Sequence, residues 1–446
     1  MYKYLERNTR PLFVELFPFG GKLDKENRWI KMAELIPWQE LERGFALRHA
    51  KGGRPSKDSR LIIGLQLLKH VTGLSDEEVV NSVRENPYQQ AFCGFDQFVT
   101  EEVLDPSTMT KQRKRLGKAF FEELEKKTYQ VLIDKKIIKC KGMYVDATVF
   151  PEHIKYPNDV GLLNDAREWL VKRVKEYGKK TGEKIRTYCR KAKKAFLEFS
   201  KKKVKTKKAI RKAQKQMLQY VRRNLEQVKE LIERTEKKGE VIKEKVKQRL
   251  KVSEQIYEQQ KTMYTEKVNR IKERIVSLVR PYVRPIVRGK NGKEVEFGSK
   301  GSCVHVDGFV FLDYLEHRAF AEEGLVKEHV EAYQERFGKL PPSFTADKKY
   351  GTRENRKYLE GLGIRQRFKM LGRKRRDDTK SSRWFKKKQR ERNRIEGDFG
   401  NGKEHYGLDR VLYSIEDGSE RWVRLRLLAM NLKTAWRKMN IKPSVC

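Results

Sequence analysis

The pattern that most restricts the fold is an interruption. The run Lys141-Gly142-Met143-Tyr144-Val145-Asp146-Ala147-Thr148-Val149-Phe150 reads as a β-strand with apolar side chains on both faces, as expected of a strand buried between layers. The strand pattern does not return until Pro281. Residues 159 to 280 between them are helical and strongly basic, with 20 Lys and Arg against 3 acids from Lys172 to Gln216. From Met217 the apolar residues Val221, Leu225, Val228 and Ile232 keep a heptad-like spacing. After a break at Lys237-Lys238-Gly239 the spacing resumes at Tyr264, Val268, Ile271, Ile275 and Leu278. This predicts coiled-coil helices, a helical hairpin inserted into a sheet domain. A dimerisation or spacer role and a role in laying a basic face along DNA both stay open for it.

Beyond the insertion, Val295–His305 and Gly308–Tyr314 flank Asp307-Gly308, a strong hairpin-turn signal. A helix over Ala321–Phe337 follows. Then come a short strand (Ser343–Asp347), a helix (Thr352–Gly361) and a strand (Ile364–Phe368). Residues 365 to 394 hold 15 Lys and Arg and 3 acids, interrupted by Trp384-Phe385, and a last helix covers Arg421–Lys438. With the insertion set aside, this order is that of an α/β fold: a mixed five-stranded sheet with helices on its faces.

The N-terminal part is all helical. Residues 1–51 read as an arm ending in a helix over Pro37–His49. Gly52-Gly53-Arg54-Pro55-Ser56 forms a turn. Apolar periodicity then runs from Arg60 to Arg84, broken at Gly73, and Ser75 with Glu78 makes a capping box for a second helix. Two short helices joined by a glycine turn fit a helix-turn-helix, and equally an ordinary small helical bundle. Asp105-Pro106-Ser107-Thr108 caps a further helix reaching about Asp134, which opens with Lys111, Arg113, Lys114 and Arg115.

Charge narrows the class of partner. The 103 Lys and Arg outnumber the 61 Asp and Glu, for a formal charge of +42. Such a chain calls for a polyanion, and nucleic acid is the first candidate. No apolar run reaches the ~18 residues of a membrane span, and Met1-Tyr2-Lys3-Tyr4-Leu5-Glu6-Arg7 has no apolar signal core. The five cysteines are scattered and odd in number, which speaks against a disulfide scaffold or a zinc knuckle. The expectation is a reduced, cytoplasmic protein facing double-stranded DNA.

Three acids then stand out. Asp146 lies inside an apolar strand, where an ionised carboxylate is costly without a cation. Asp347 ends another strand, the position at which open sheets bind ligands. Glu396 would share one helix face with Arg392, four residues before it, and Lys403, seven after it. A solvated ion pair is the alternative reading of that segment, and Asp398 points to another face. In a chain with few histidines, oxygen ligands suit Mg²⁺ or Mn²⁺.

Taken together, these stretches make the chain resemble the DDE transposases of bacterial insertion sequences, of the insertion-sequence-five type. Gly53-Arg54-Pro55, with the helices through Phe95, is similar to that group's N-terminal domain. Val145-Asp146-Ala147-Thr148, with Tyr156–Val160 and Leu162–Arg167, resembles the first-Asp region. Thr345–Gly351, with Glu354-Asn355, resembles the second, and Arg392–Gly407 the Glu region. In the related signature Tyr is followed after two residues by Arg, after three more by Glu and after six more by Lys. Arg392, Glu396 and Lys403 fit it, whereas Gln389 stands where Tyr is expected.

The resemblance implies an RNase H-like core and DNA cleavage and strand transfer at element ends. It gives Asp146, Asp347 and Glu396 the catalytic and metal-ligand roles, with two Mg²⁺ (or Mn²⁺) ions. Arg392 and Lys403 would hold phosphate, Trp384 or Phe385 would stack on an unpaired base or else pack a local hairpin, and Lys111, Arg113 and Arg115 would contact DNA. A homodimer bridging two element ends, in the bacterial cytoplasm and associated with the nucleoid, completes the expectation. The domain boundaries expected are 1–51 (arm), 52–135 (helical DNA-binding domain), 136–158 (first core strand), 159–280 (basic insertion) and 281–446 (remaining core). A DNA-binding regulator or architectural protein derived from a transposase, or another RNase H-like nuclease, are the competing readings.

Overall fold

The computed structural model describes residues 18–49, 52, 55–290, 293–368, 379–414 and 417–440. The chain forms two compact units. One is built from the chain up to Pro151, Lys300–Tyr413 and the chain from Asp417; the other is built from Glu152–Ser299 with Ser414–Glu416.

The first unit opens with helices α1 (Arg28–Ala33), α2 (Trp38–Leu47), α3 (Ser59–Thr72), α4 (Asp76–Glu85), α5 (Pro87–Phe92) and α6 (Pro106–Asp134). Their ends follow local chemistry. The Asp58 carboxylate accepts from the backbone N–H groups of Arg60 and Leu61 to start α3, and Gly73, at φ +83°, ends it. Ser75 and Glu78 form the expected reciprocal capping box at α4. Pro106 opens α6 behind the N-cap Asp105, and the helix is broken inside at Gly117 (φ +69°).

Strand β1 (Met143–Pro151) ends this stretch, and the second unit follows. It contains α7 (Asp159–Thr181), α8 (Cys189–Ser200), α9 (Lys207–Lys237), α10 (Glu244–Glu266), β2 (Arg284–Lys290) and the start of β3 (Lys293–Val306). The heptad residues Val221, Leu225, Val228 and Ile232 are buried on α9 in one core with Leu163, Leu170 and Val174 of α7. The Asp159 carboxylate ties three segments together, accepting from Gln214, Gln260 and Arg274.

The predicted second heptad run is a correction. Helix α10 stops at Glu266, and Lys267 and Glu273 adopt positive φ. Ile275 and Leu278 are buried, but from an irregular segment. Gln259 shapes that segment by accepting from the Ile275 N–H and donating to the Glu273 carbonyl. Side-chain amides thus do there what a helical ladder would have done. The insertion holds four helices among its described residues, rather than a two-helix hairpin.

Back in the first unit come β4 (Phe309–Glu316), α11 (Val326–Phe337), β5 (Ser343–Thr345), α12 (Arg353–Gly361), β6 (Arg365–Arg367), α13 (Thr379–His405) and α14 (Gly418–Asn440). The strand order there is β4-β3-β1-β5-β6. β3 and β4 form an antiparallel hairpin, while β5 runs parallel to both β1 and β6. This is a mixed sheet with helices, as expected, but among the described residues it has six strands rather than five, because β2 joins it along β3. The turn residues Asp307 and Gly308 both have positive φ, the geometry a two-residue hairpin loop needs. β2, which pairs antiparallel with residues 293–298 of β3 inside the second unit, was not resolved in the sequence. Helix α14 is buried nearly all round, through Trp422, Leu425, Leu428, Leu432 and Ala435, and so reads as a core helix rather than an amphipathic one.

Candidate active site

Strand pairing builds the site. Across the parallel strands β1 and β5, Met143 is in register with Phe344 and Tyr144 with Thr345. Two residues further along each strand direction, Asp146 and Asp347 therefore come level on the same face. Asp347 lies just beyond the carboxyl end of β5, at the start of a 3₁₀ turn over Lys348–Tyr350. Helix α13 comes over β1 at this point: Arg392 Nη1 lies 3.9 Å from Asp146 Oδ2, and the Tyr144 hydroxyl donates to the Glu391 carboxylate.

Electrostatics set these residues apart. Burial pushes the Asp146 carboxyl above its usual range. The Ala147 N–H, which donates to it at 2.9 Å, and Arg392 oppose that rise, while Glu322 and Asp347 reinforce it. The site thus gathers negative charge in a chain of +42. Burial and the Glu391 carboxylate likewise raise the Tyr144 phenol, which stays protonated and donating. The Tyr350 phenol is fully buried and also raised, by burial first and by Glu322 next.

Glu322 escaped the sequence reading. It follows β4 at the start of a 3₁₀ turn and is held by Lys300 at 2.7 Å. No motif flags it, because its nearness to Asp146 arises only from the tertiary fold.

The third expected acid sits differently. Helix α13 is continuous from Thr379 to His405, across Gly397, Gly400 and Gly402. Ile395 and Phe399 bury its inner face. Gly402 has a packing reason, since a Cβ there would stand 2.7 Å from Leu408 Cδ1. Arg392, Glu396 and Lys403 share one side of the helix by periodicity, but Glu396 is exposed. Asp398 faces elsewhere and meets His305 Nδ1 at 3.1 Å. Among the described residues, no three acid, His or Cys side chains stand close enough to form a ready metal cage. The structure therefore brings Asp146, Asp347 and Arg392 together and leaves Glu396 one helical turn from Arg392. The donor chemistry fits a hard divalent cation: mutually repelling carboxylates, one of them destabilised by burial.

The other expected residues separate. Lys111 and Arg115 are exposed on α6. Arg113 is buried: it binds Asp76 at 2.7 Å, donates to Gln66 and stacks on Tyr413. Its charge is committed inside the fold. The side chain of Trp384, along with Gly53 and Arg54, lies outside the described residues. No helix among the described residues is long and apolar enough to cross a membrane.

Comparison with known proteins finds transposase domains in two parts of the chain. Residues 17–115 match a family model described as Transposase domain (DUF772), and residues 344–433 match one described as Transposase DDE domain. The second match contains Asp347 and Glu396; Asp146 lies outside both. An uncharacterised protein, ORF8 in the nfe locus of Rhizobium meliloti, is 40% identical over 196 residues, covering 42% of this chain and 93% of that relative. No solved structure matches the chain. With these two transposase domain matches, the protein belongs to the DDE transposases of insertion sequences.

Proposed function

We propose that the protein is a transposase of the insertion-sequence-five type. It binds the terminal inverted repeats of its own element, cuts at their ends and joins them to target DNA. The observation that carries this reading is the register of β1 and β5, which brings Asp146 level with Asp347 under the helix bearing Arg392 and Glu396.

In this reading the core is RNase H-like. Asp146, Asp347 and Glu396 hold two Mg²⁺ or Mn²⁺ ions. Bound there, the ions would supply Lewis-acid activation of the attacking oxygen and charge stabilisation of the leaving 3′ oxygen. The chain's own groups do the positioning. Arg392 and Lys403 hold phosphates beside the acids, and Trp384 stacks on a base freed at the cut end. Tyr144, fixed by Glu391, keeps α13 against β1. The N-terminal helices, with Lys111 and Arg115 outward, engage the repeats. A homodimer brings two sites to two ends, and the protein works in the cytoplasm on the nucleoid.

The test is cleavage of DNA carrying the flanking repeats of the element, with Mg²⁺, by wild type and Asp146→Ala. Metal-dependent nicking at the repeat boundary that is absent from the variant supports the reading. Tight binding with no cutting by either protein overturns it in favour of a DNA-binding regulator. Cutting of branched DNA with no need for repeats overturns it in favour of another nuclease.

A further inference from the structure

The second unit carries its charge in two separated halves. Along the exposed side of α9, Lys208, Lys212, Lys215 and Arg222 recur at helical spacing. Beyond them the same side turns acidic at Glu226, Glu230 and Glu233. The acidic half is neutralised within the unit: Arg222 meets Glu226 at 3.9 Å, Arg234 meets Glu230 at 3.8 Å and Lys237 meets Glu233 at 2.8 Å. Arg222 apart, the basic half is not. Among the described residues, none of the cations from Lys184 to Lys215 forms an ion pair.

Two details sharpen this. The connection between α8 and α9 is fully exposed and holds Lys201, Lys202, Lys203 and Lys205. Lys207 and Lys208 then open α9 with no acid in its first turn. A helix N-terminus is the end at which the helix dipole disfavours cations. Separately, Arg186 and Arg223 both stack on the Tyr188 ring, with guanidinium carbons 4.5 and 4.6 Å from its centroid. Tyr188 itself holds a strained φ of +55°. The fold thus concentrates like charge at its own cost, which an external polyanion would offset.

We propose that this half of the second unit is a docking surface for the sugar-phosphate backbone of duplex DNA, engaged without regard to base sequence. The inference rests on the transposase reading for its partner. The stripe from Lys208 to Arg222 spans ~21 Å at 1.5 Å per residue, over which a duplex presents about a dozen phosphates. Its cations are mostly lysines, point charges that hold phosphate but do not read base edges.

The test uses the full chain and a 30-base-pair duplex of arbitrary sequence lacking the repeats, with affinity measured by fluorescence anisotropy across a salt series. The combined variant Lys201→Gln, Lys202→Gln, Lys203→Gln, Lys205→Gln should bind more weakly. Its slope of log affinity against log salt should fall by about 3–4, at ~0.9 per phosphate contact. The same four positions changed to Arg should keep the wild-type slope. Because all four side chains are exposed, the melting temperature should not change, and it is measured alongside. An unchanged slope in the Gln variant overturns the proposal, as does a loss confined to single-stranded DNA. Failure of wild type to cut repeat-bearing DNA would sink the transposase reading alone, since this test never uses the repeats.

Discussion

Asp146 and Asp347 come level because Tyr144 and Thr345 are register partners across two parallel strands. The pairing of two short segments, 201 positions apart in the sequence, thus sets a like-charge repulsion that the fold must tolerate. Burial already holds the Asp146 carboxyl above its usual range, with Glu322 and Asp347 adding to it. Asp146→Asn removes that repulsion in nearly the same volume. Metal-dependent cleavage should be lost, while stability is unchanged or raised by about 0.5–2 kcal/mol, as when functional strain is released. Paired cleavage and thermal-melting measurements check this, and a destabilised variant would show that Asp146 is a structural residue.

Among the described residues, Arg392 is the cation paired with Asp146, at 3.9 Å. In the proposed mechanism it holds phosphate and competes with a metal for the same carboxylate. Arg392→Gln should therefore bind Mn²⁺ at least as tightly as wild type in titration calorimetry, yet cleave roughly 10–100-fold more slowly, the scale seen when an outer partner of a metal site is removed. Weaker Mn²⁺ binding would mean instead that Arg392 orients the acids.

Much of this was legible in the sequence because it rests on local rules. The Ser75–Glu78 box, the Asp307-Gly308 turn and the alternation of strands and helices each follow from a few neighbouring residues. Asp146 showed itself as a charge in an apolar strand. What stayed hidden depends on distant partners. Arg113 read as an outward cation in a basic helix start, but Asp76, 37 positions away, draws it inward. Glu322 gained its place beside Asp146 only through folding. The apolar spacing over Tyr264–Leu278 was a true burial signal, but an irregular segment carries it, and spacing alone does not separate the two.

Asn431 illustrates a contact no pattern reveals. From the buried helix α14 its amide accepts from the Val310 N–H at 3.0 Å and donates to the Val310 carbonyl at 2.7 Å and to the Tyr129 hydroxyl at 2.8 Å. It thereby satisfies the backbone of the outer strand β4 inside the core. Asn431→Leu should leave these groups buried without partners and cost roughly 3 kcal/mol. Denaturant titration reads the loss; a change below 1 kcal/mol would mean that water replaces the amide.

Acid should loosen the first unit at His70. This side chain is fully buried, accepts or donates at Nε2 to the Tyr413 hydroxyl at 3.0 Å, and is surrounded by Arg426, Lys69 and Arg113. Burial chiefly, then those cations, hold its imidazole well below the usual range, so it is neutral in the folded state. The unfolded chain takes up a proton near pH 6.5. Above that value both states are neutral and His70 adds no pH dependence. Below it the unfolded state binds more protons, and stability falls as pH drops towards the folded-state value. Unfolding free energy measured between pH 7.5 and pH 5 should therefore decline below about 6.5. The decline should be shallower in His70→Gln, which keeps a hydrogen-bonding group but cannot titrate. Parallel curves for the two proteins would assign the acid sensitivity to other groups.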